Sequence, residues 1–193
     1  MMRRSRLWAA AVAVSAAVAG AAVGTAAMGD DGGHDSHDSH DARQGKTVFA
    51  ELSGYEEDPL TISTPGTGRF VAHIDEKRQE ISYRLSYENL ESAVQQAHIH
   101  FGGRHQSGGI VAFLCTNLGN GPAGTQTCPP APATITGTIT PADVVTAPNQ
   151  GIDAGEFDEL VDAIEAGVTY ANVHTAVRTG GEIRGQINSD DDD

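Results

Sequence analysis

The chain has 193 residues with 26 acidic against 12 basic side chains, a formal charge of −14, eight histidines and two cysteines. That length allows one domain of ordinary size with extensions at its ends. An acidic surface carrying lysine only at Lys46 and Lys77 repels nucleic acid and anionic lipid, so nucleic-acid binding is excluded.

Residues 1–29 read as a secretory signal peptide. Arg3, Arg4 and Arg6 make a basic start, an Ala/Val-rich run follows from Leu7, and Thr25-Ala26-Ala27 offers small residues for cleavage. The apolar run is nearly long enough to span a bilayer, so an uncleaved anchor is the alternative. Cleavage removes three positive charges and no negative one, which takes the formal charge from −14 to −17. The product is expected to be secreted or to sit at the cell-envelope exterior or in the periplasm, with no membrane attachment after cleavage. Its partner there would be an extracellular protein or an envelope component.

Residues 30–46 are low in complexity, with His34, His37 and His40 spaced by Asp and Ser. Nothing in this tract buries apolar area, which predicts a disordered linker. The sharper reading is a loose chelating tract for Zn(II), Cu(II) or Ni(II).

Residues 47–188 carry the pattern of a β domain. Val48 opens a strand over 48–52. Phe70, Ala72 and Ile74 alternate with polar neighbours, as do Ile81, Tyr83, Leu85 and Tyr87. Further strands are expected at 97–101, 110–114, 135–139, 170–175 and 183–187. Cys115 and Cys128 flank a Gly/Pro/Thr-rich loop; export and an even cysteine count favour a disulfide, and a pair of thiolate metal ligands is the alternative. Thr140-Pro141-Ala142-Asp143 predicts a short capped turn. Phe157, Leu160, Val161 and Ile164 recur at helical spacing, with Asp153 as the expected cap and Gly167 as the stop. Arg178-Thr179-Gly180-Gly181 reads as a hairpin turn. The tail 189–193 is a short solvated acid run. The fold expected is an all-β, antiparallel Greek-key sandwich or barrel of about eight strands, with one covering helix near 154–166.

Two of these strands carry the chemistry. In Ala97-His98-Ile99-His100, side-chain alternation puts His98 and His100 on one face and Ile99 on the other. In Tyr170-Ala171-Asn172-Val173-His174-Thr175, Asn172 and His174 share a face. If the strands adjoin, three imidazoles converge as candidate ligands for copper or zinc. The alternative is that they are polar strand residues bonded to neighbouring loops. His73 is expected to be exposed, and His105 sits in a Gly/Ser loop where it makes a poor fourth ligand. Ser107 beside His105 suggests a nucleophile on paper only, and Glu56, Glu57 and Asp58 read as solvated.

The ordered set Leu52-Ser53-Gly54-Tyr55-Glu56, Thr67-Gly68-x-Phe70, Ala97-His98-Ile99-His100, Gly137-Thr138-Ile139-Thr140, Tyr170 to Thr175 and Gly180-Gly181-Glu182-Ile183-Arg184-Gly185-Gln186-Ile187 resembles the CHRD (chordin) domain family. Two departures stand out: Glu57-Asp58-Pro59 replaces the usual Val-Pro-Pro, and the loop between the cysteines looks like an insertion. The resemblance implies an extracellular module, repeated in an animal growth-factor antagonist and single in exported microbial proteins. A weaker likeness is to copper-zinc superoxide dismutase, carried only by the His-x-His strand. The function expected is therefore an exported, non-enzymatic binding or structural module. The alternative is a copper- or zinc-binding protein using His98, His100 and His174, with a metal-dependent redox enzyme as its less favoured extension.

Overall fold

The computed structural model describes residues 45–189. The expected signal peptide, the tract bearing His34, His37 and His40, and the acidic run beyond Ser189 lie outside the described residues.

All eight expected strands form, each a little longer or shorter than its apolar pattern. They are β1 (Lys46–Ser53), β2 (Thr67–Asp75), β3 (Glu80–Glu88), β4 (Val94–Phe101), β5 (Gly109–Thr116), β6 (Ala133–Ile139), β7 (Thr169–Thr175) and β8 (Ile183–Gln186). A ninth, β9 (Asn188–Ser189), continues just past β8 and pairs with Val48 and Phe49 of β1. Two residues abutting an acidic tail carry no alternation, so β9 has no sequence signal. Every pairing between strands is antiparallel, in the order β5-β4-β7-β8-β1-β2-β3-β6.

The strands β1, β2, β3 and β6 alternate between inside and outside as their sequences require. Val48, Ala50 and Leu52, then Phe70, Ala72 and Ile74, then Ile81, Tyr83, Leu85 and Tyr87 all point into one core. At Gly137 on β6 the Tyr83 ring occupies the place of a side chain. A Cβ there would lie 2.7 Å from Tyr83 Cζ, so glycine is what lets the ring lie flat under β6. The Tyr83 hydroxyl then donates to the Leu114 carbonyl on β5 at 2.8 Å. That bond helps draw the two edge strands together, and the sheet curls into a nearly closed barrel.

The seam between β5 and β6 is also held covalently. Cys115 of β5 is bonded to Cys128 in the loop that leads into β6. The Asn117 side chain adds bonds to the Val94 and Cys128 carbonyls, each at 2.9 Å, and accepts from the Cys128 amide at 3.1 Å.

The helix α1 (Phe157–Glu165) buries Phe157, Leu160, Val161 and Ile164 and stops at Gly167, whose φ of +65° is the left-handed turn expected there. Its start differs from expectation. Asp153 does not cap it: Gly155 takes φ of +89° and Glu156 ψ of 75°, so residues 153–156 form a separate turn, closed by the Asp153 amide donating to Glu156 Oε2 at 2.7 Å, and the first helical residue is Phe157. The turn at Pro141–Asp143 forms as read, with both Thr140 N and Thr140 Oγ1 donating to Asp143 Oδ2. Among the described residues no helix is long and apolar enough to cross a membrane.

Replacing Cys115 and Cys128 together by serine is expected to lower unfolding free energy by about 3 kcal/mol, the chain-entropy value for a loop of this size. Urea unfolding of the oxidised chain and the double variant measures it. Equal midpoints would show that the seam is held by hydrogen bonds alone.

Candidate metal centre

The strands β4, β7 and β8 are buried along nearly their whole length on both faces. Ala97, Ile99, Ala171, Val173 and Ile183 supply the core side. The other side is polar: His98 and His100 from β4, Tyr170, Asn172 and His174 from β7, and Arg184 and Gln186 from β8. In the β4–β7 register His98 stands opposite Asn172, His100 opposite Tyr170, and Gln96 opposite His174. His174 is thus the diagonal neighbour of His98, close enough for side chains to meet.

They do meet. The His98 ring lies 5.0 Å from that of His174 and 5.4 Å from that of His100, centre to centre, and His100 to His174 is 6.0 Å. One ring nitrogen from each falls within 4.8 Å of the other two. A point within about 2.8 Å of all three nitrogens therefore exists, and closing to metal–nitrogen bonds of about 2.0 Å asks for ring movements of under about 1 Å.

Two of the rings are oriented by backbone carbonyls. His100 Nδ1 is 2.9 Å from the Gly108 carbonyl and His174 Nδ1 is 3.0 Å from the Thr179 carbonyl. A carbonyl only accepts, so each Nδ1 carries the proton, and in the neutral ring each Nε2 keeps its lone pair. Both Nε2 atoms are buried without a hydrogen-bond partner, and so are both nitrogens of His98. Burying an imidazole nitrogen with no partner is costly, and here three rings do so in one place.

Electrostatics keep these rings neutral. Burial pushes His98 far below the ordinary imidazole value, and the neighbouring His174 and His100 add to the effect. Burial takes His100 down to about 4, against the Gly108 hydrogen bond and with help from His174 and Arg184. His174 is lowered by burial against its bond to Thr179. Neutral imidazole is the form that ligates metal.

Three loops roof this face. Arg184 donates to the Gly103 and Gln106 carbonyls, each at 3.0 Å, and its guanidinium lies 3.5 Å above the Tyr170 ring. On that ring stacks His100, at 4.7 Å and parallel. The second loop brings in Glu57, which accepts from Asn172 Nδ2 at 2.7 Å. The third is the expected hairpin turn after β7, which presents the Thr179 carbonyl to His174. Gly181 in this turn has φ of +129°, and a Cβ there would lie 2.7 Å from Glu57 Oε2 and 2.8 Å from Asn172 Nδ2. Only glycine leaves room for that carboxyl.

Glu57 corrects the sequence reading. Of the three adjacent acids, Glu56 pairs with Arg104 at 2.9 Å and Asp58 accepts from Ser107 at 2.8 Å, both at the surface, but Glu57 is buried. Its signal is faint: an extended loop turns its middle residue away from its neighbours. Ser107 is engaged by Asp58 and has no bond to His105, which is exposed, as is His73. The candidate thiolates Cys115 and Cys128 are taken up in their disulfide.

Residues 48–187 match the model of the CHRD domain. No curated protein and no solved structure matches the chain.

Two outcomes follow from this burial. His98→Leu, which fills similar space without polar atoms, is expected to stabilise the metal-free protein by about 1 kcal/mol or more, read from urea unfolding. A destabilised variant would mean that the His98 nitrogens have partners after all. Separately, burial raises the Glu57 carboxyl from its ordinary 4.5 to about 7, against Asn172 and Arg184 and with Glu182 and Asp58 adding to the rise. A folded value above the unfolded one means that the stability this group contributes is complete below about 4.5 and is lost as pH rises through about 7. Glu57→Gln keeps the acceptor for Asn172 without the titration. Its stability relative to the natural chain should therefore gain about 3 kcal/mol between pH 4 and pH 8. The buried imidazoles titrate in the opposite sense in both proteins and cancel in this difference; a flat difference would place Glu57 in water.

Proposed function

The chain belongs to the CHRD domain family, and on that scaffold we propose an exported, non-enzymatic module whose ligand is a single copper or zinc ion held by His98, His100 and His174. The observation that carries this reading is the convergence of unpartnered, buried ring nitrogens from three histidines. His100 and His174 would bind through Nε2, since their Nδ1 atoms are engaged by Gly108 and Thr179. His98 would complete the set. When bound, such an ion supplies a crosslink between β4 and β7 and a store of the metal itself. The residues around it orient the rings, exclude water and hold the roof. Burial of the donor atoms favours retention over turnover, because turnover needs a coordination position open to substrate.

Export is supported by the basic and apolar start of the chain and by the disulfide, which persists in oxidising compartments. The tract bearing His34, His37 and His40 fits a feeder that gathers ions near the domain, and its weaker chelation has to be removed before the domain's own site can be measured.

In a chain carrying His34→Gln, His37→Gln and His40→Gln, one equivalent of copper or zinc is expected to survive extensive dialysis. Adding His100→Gln or His174→Gln should weaken binding by roughly 100-fold or more, measured by competition with a chromophoric chelator. Unchanged stoichiometry and affinity in both additional variants would remove the proposal and leave a module indifferent to metal.

A further inference from the structure

Within the metal-binding reading, on which this inference rests, we propose that the centre is built for copper(I) in preference to zinc(II) or copper(II).

The first argument is coordination number. All the unpartnered nitrogens of the cluster are sealed from solvent, so a bound ion finds three imidazoles at atoms that water outside the fold does not reach. Zinc(II) takes four ligands in nearly all its sites, and copper(II) prefers a tetragonal arrangement of at least four. Copper(I) has a filled d shell, imposes no such geometry, and is satisfied by three nitrogens in a plane. The movement of under about 1 Å that draws the rings together would place three donors around such an ion without a fourth.

The second argument is charge. Among the described residues the cluster contains three histidines and no carboxylate or thiolate. The nearby acids are committed elsewhere. Glu57 accepts from Asn172, and Glu182 accepts from Thr64 Oγ1, Thr175 Oγ1 and the Glu91 amide. Besides the imidazoles themselves, the charge felt at His100 is the Arg184 guanidinium, a cation stacked, like His100, on the Tyr170 ring. A divalent ion would bury two uncompensated positive charges beside that guanidinium; a monovalent ion buries one. Because the desolvation cost of an ion grows steeply with its charge, the neutral donor set discriminates by oxidation state.

The third argument is softness. The Phe113 ring stands edge-on to His98 at 4.5 Å, and the Tyr170 ring covers His100. Polarisable, weakly hydrating surroundings suit the softer ion of the three.

The test is an anaerobic titration of the chain lacking the three tract histidines, with copper(I) supplied as its acetonitrile complex against bicinchoninate. Zinc(II) and copper(II) are measured in parallel against their own chelators. We expect one equivalent of copper(I), bound at least about 100-fold more tightly than zinc(II), with X-ray absorption giving three nitrogen neighbours. His174→Gln should abolish the binding, and His98→Leu serves as a second variant whose fold is checked by its melting curve. Zinc(II) or copper(II) bound as tightly as copper(I) through the same histidines would overturn the preference and leave the metal-binding reading standing. No binding of any of the three ions at these histidines would remove both.

Discussion

The structure depends on hydrogen bonds that pull the loop of residues 102–108 down onto the outer face of β4, β7 and β8. Arg184 reaches the Gly103 and Gln106 carbonyls, Gln186 Nε2 reaches the Gly102 carbonyl at 3.1 Å, and the Gly108 carbonyl takes the His100 proton. An antiparallel sheet ordinarily leaves such a face to water. Here polar side chains answer a loop whose own carbonyls would otherwise need solvent, and the two surfaces satisfy each other. The result is a second buried layer beside the apolar core, made of polar groups with fixed partners. Within it His98 is left with no partner on either nitrogen, and His100 and His174 with none on Nε2.

That exception has a structural logic. A polar layer that satisfied every group would simply be a well-made roof. Three rings with inward lone pairs are retained against a folding cost, and the surrounding contacts raise that cost by keeping the rings rigid and dry. Tyr170 clamps His100 between its own ring and the rest of the cluster, and Arg184 clamps Tyr170. Glu57 lies against Gly181, which brings the second loop onto the hairpin that presents Thr179.

Much of this was legible in the residues. The alternation of Ile81, Tyr83, Leu85 and Tyr87 specified β3, and His98-Ile99-His100 with Asn172-Val173-His174 specified which side chains share a face. Whether the two strands adjoin was not legible from periodicity or from the order of motifs; the β4–β7 pairing is what brings them together. The cover over the face was not legible, because it is made by loop carbonyls at Gly103, Gln106 and Gly108, and a carbonyl looks the same at every position. Glu57 was misplaced for the same reason: its burial depends on a glycine more than a hundred residues away. Asp153 failed as a cap because Gly155 takes a left-handed φ of +89° and Glu156 a ψ of 75°, so the chain is not yet helical three residues on.

The charge of the chain and the charge of the centre act at different ranges. The acidic excess of the chain, −14 by formal charge, raises the local concentration of every cation, and salt screens that effect within about 10 Å. It speeds the arrival of every cation and acts more strongly on a divalent ion than on a monovalent one. The centre works against that bias. Its donors are neutral, and the fixed charge felt at His100 is a guanidinium. On the proposed metal-binding reading, a surface that favours divalent cations at a distance and a core that penalises their charge at contact would make retention, and not encounter, the step at which the ion is selected.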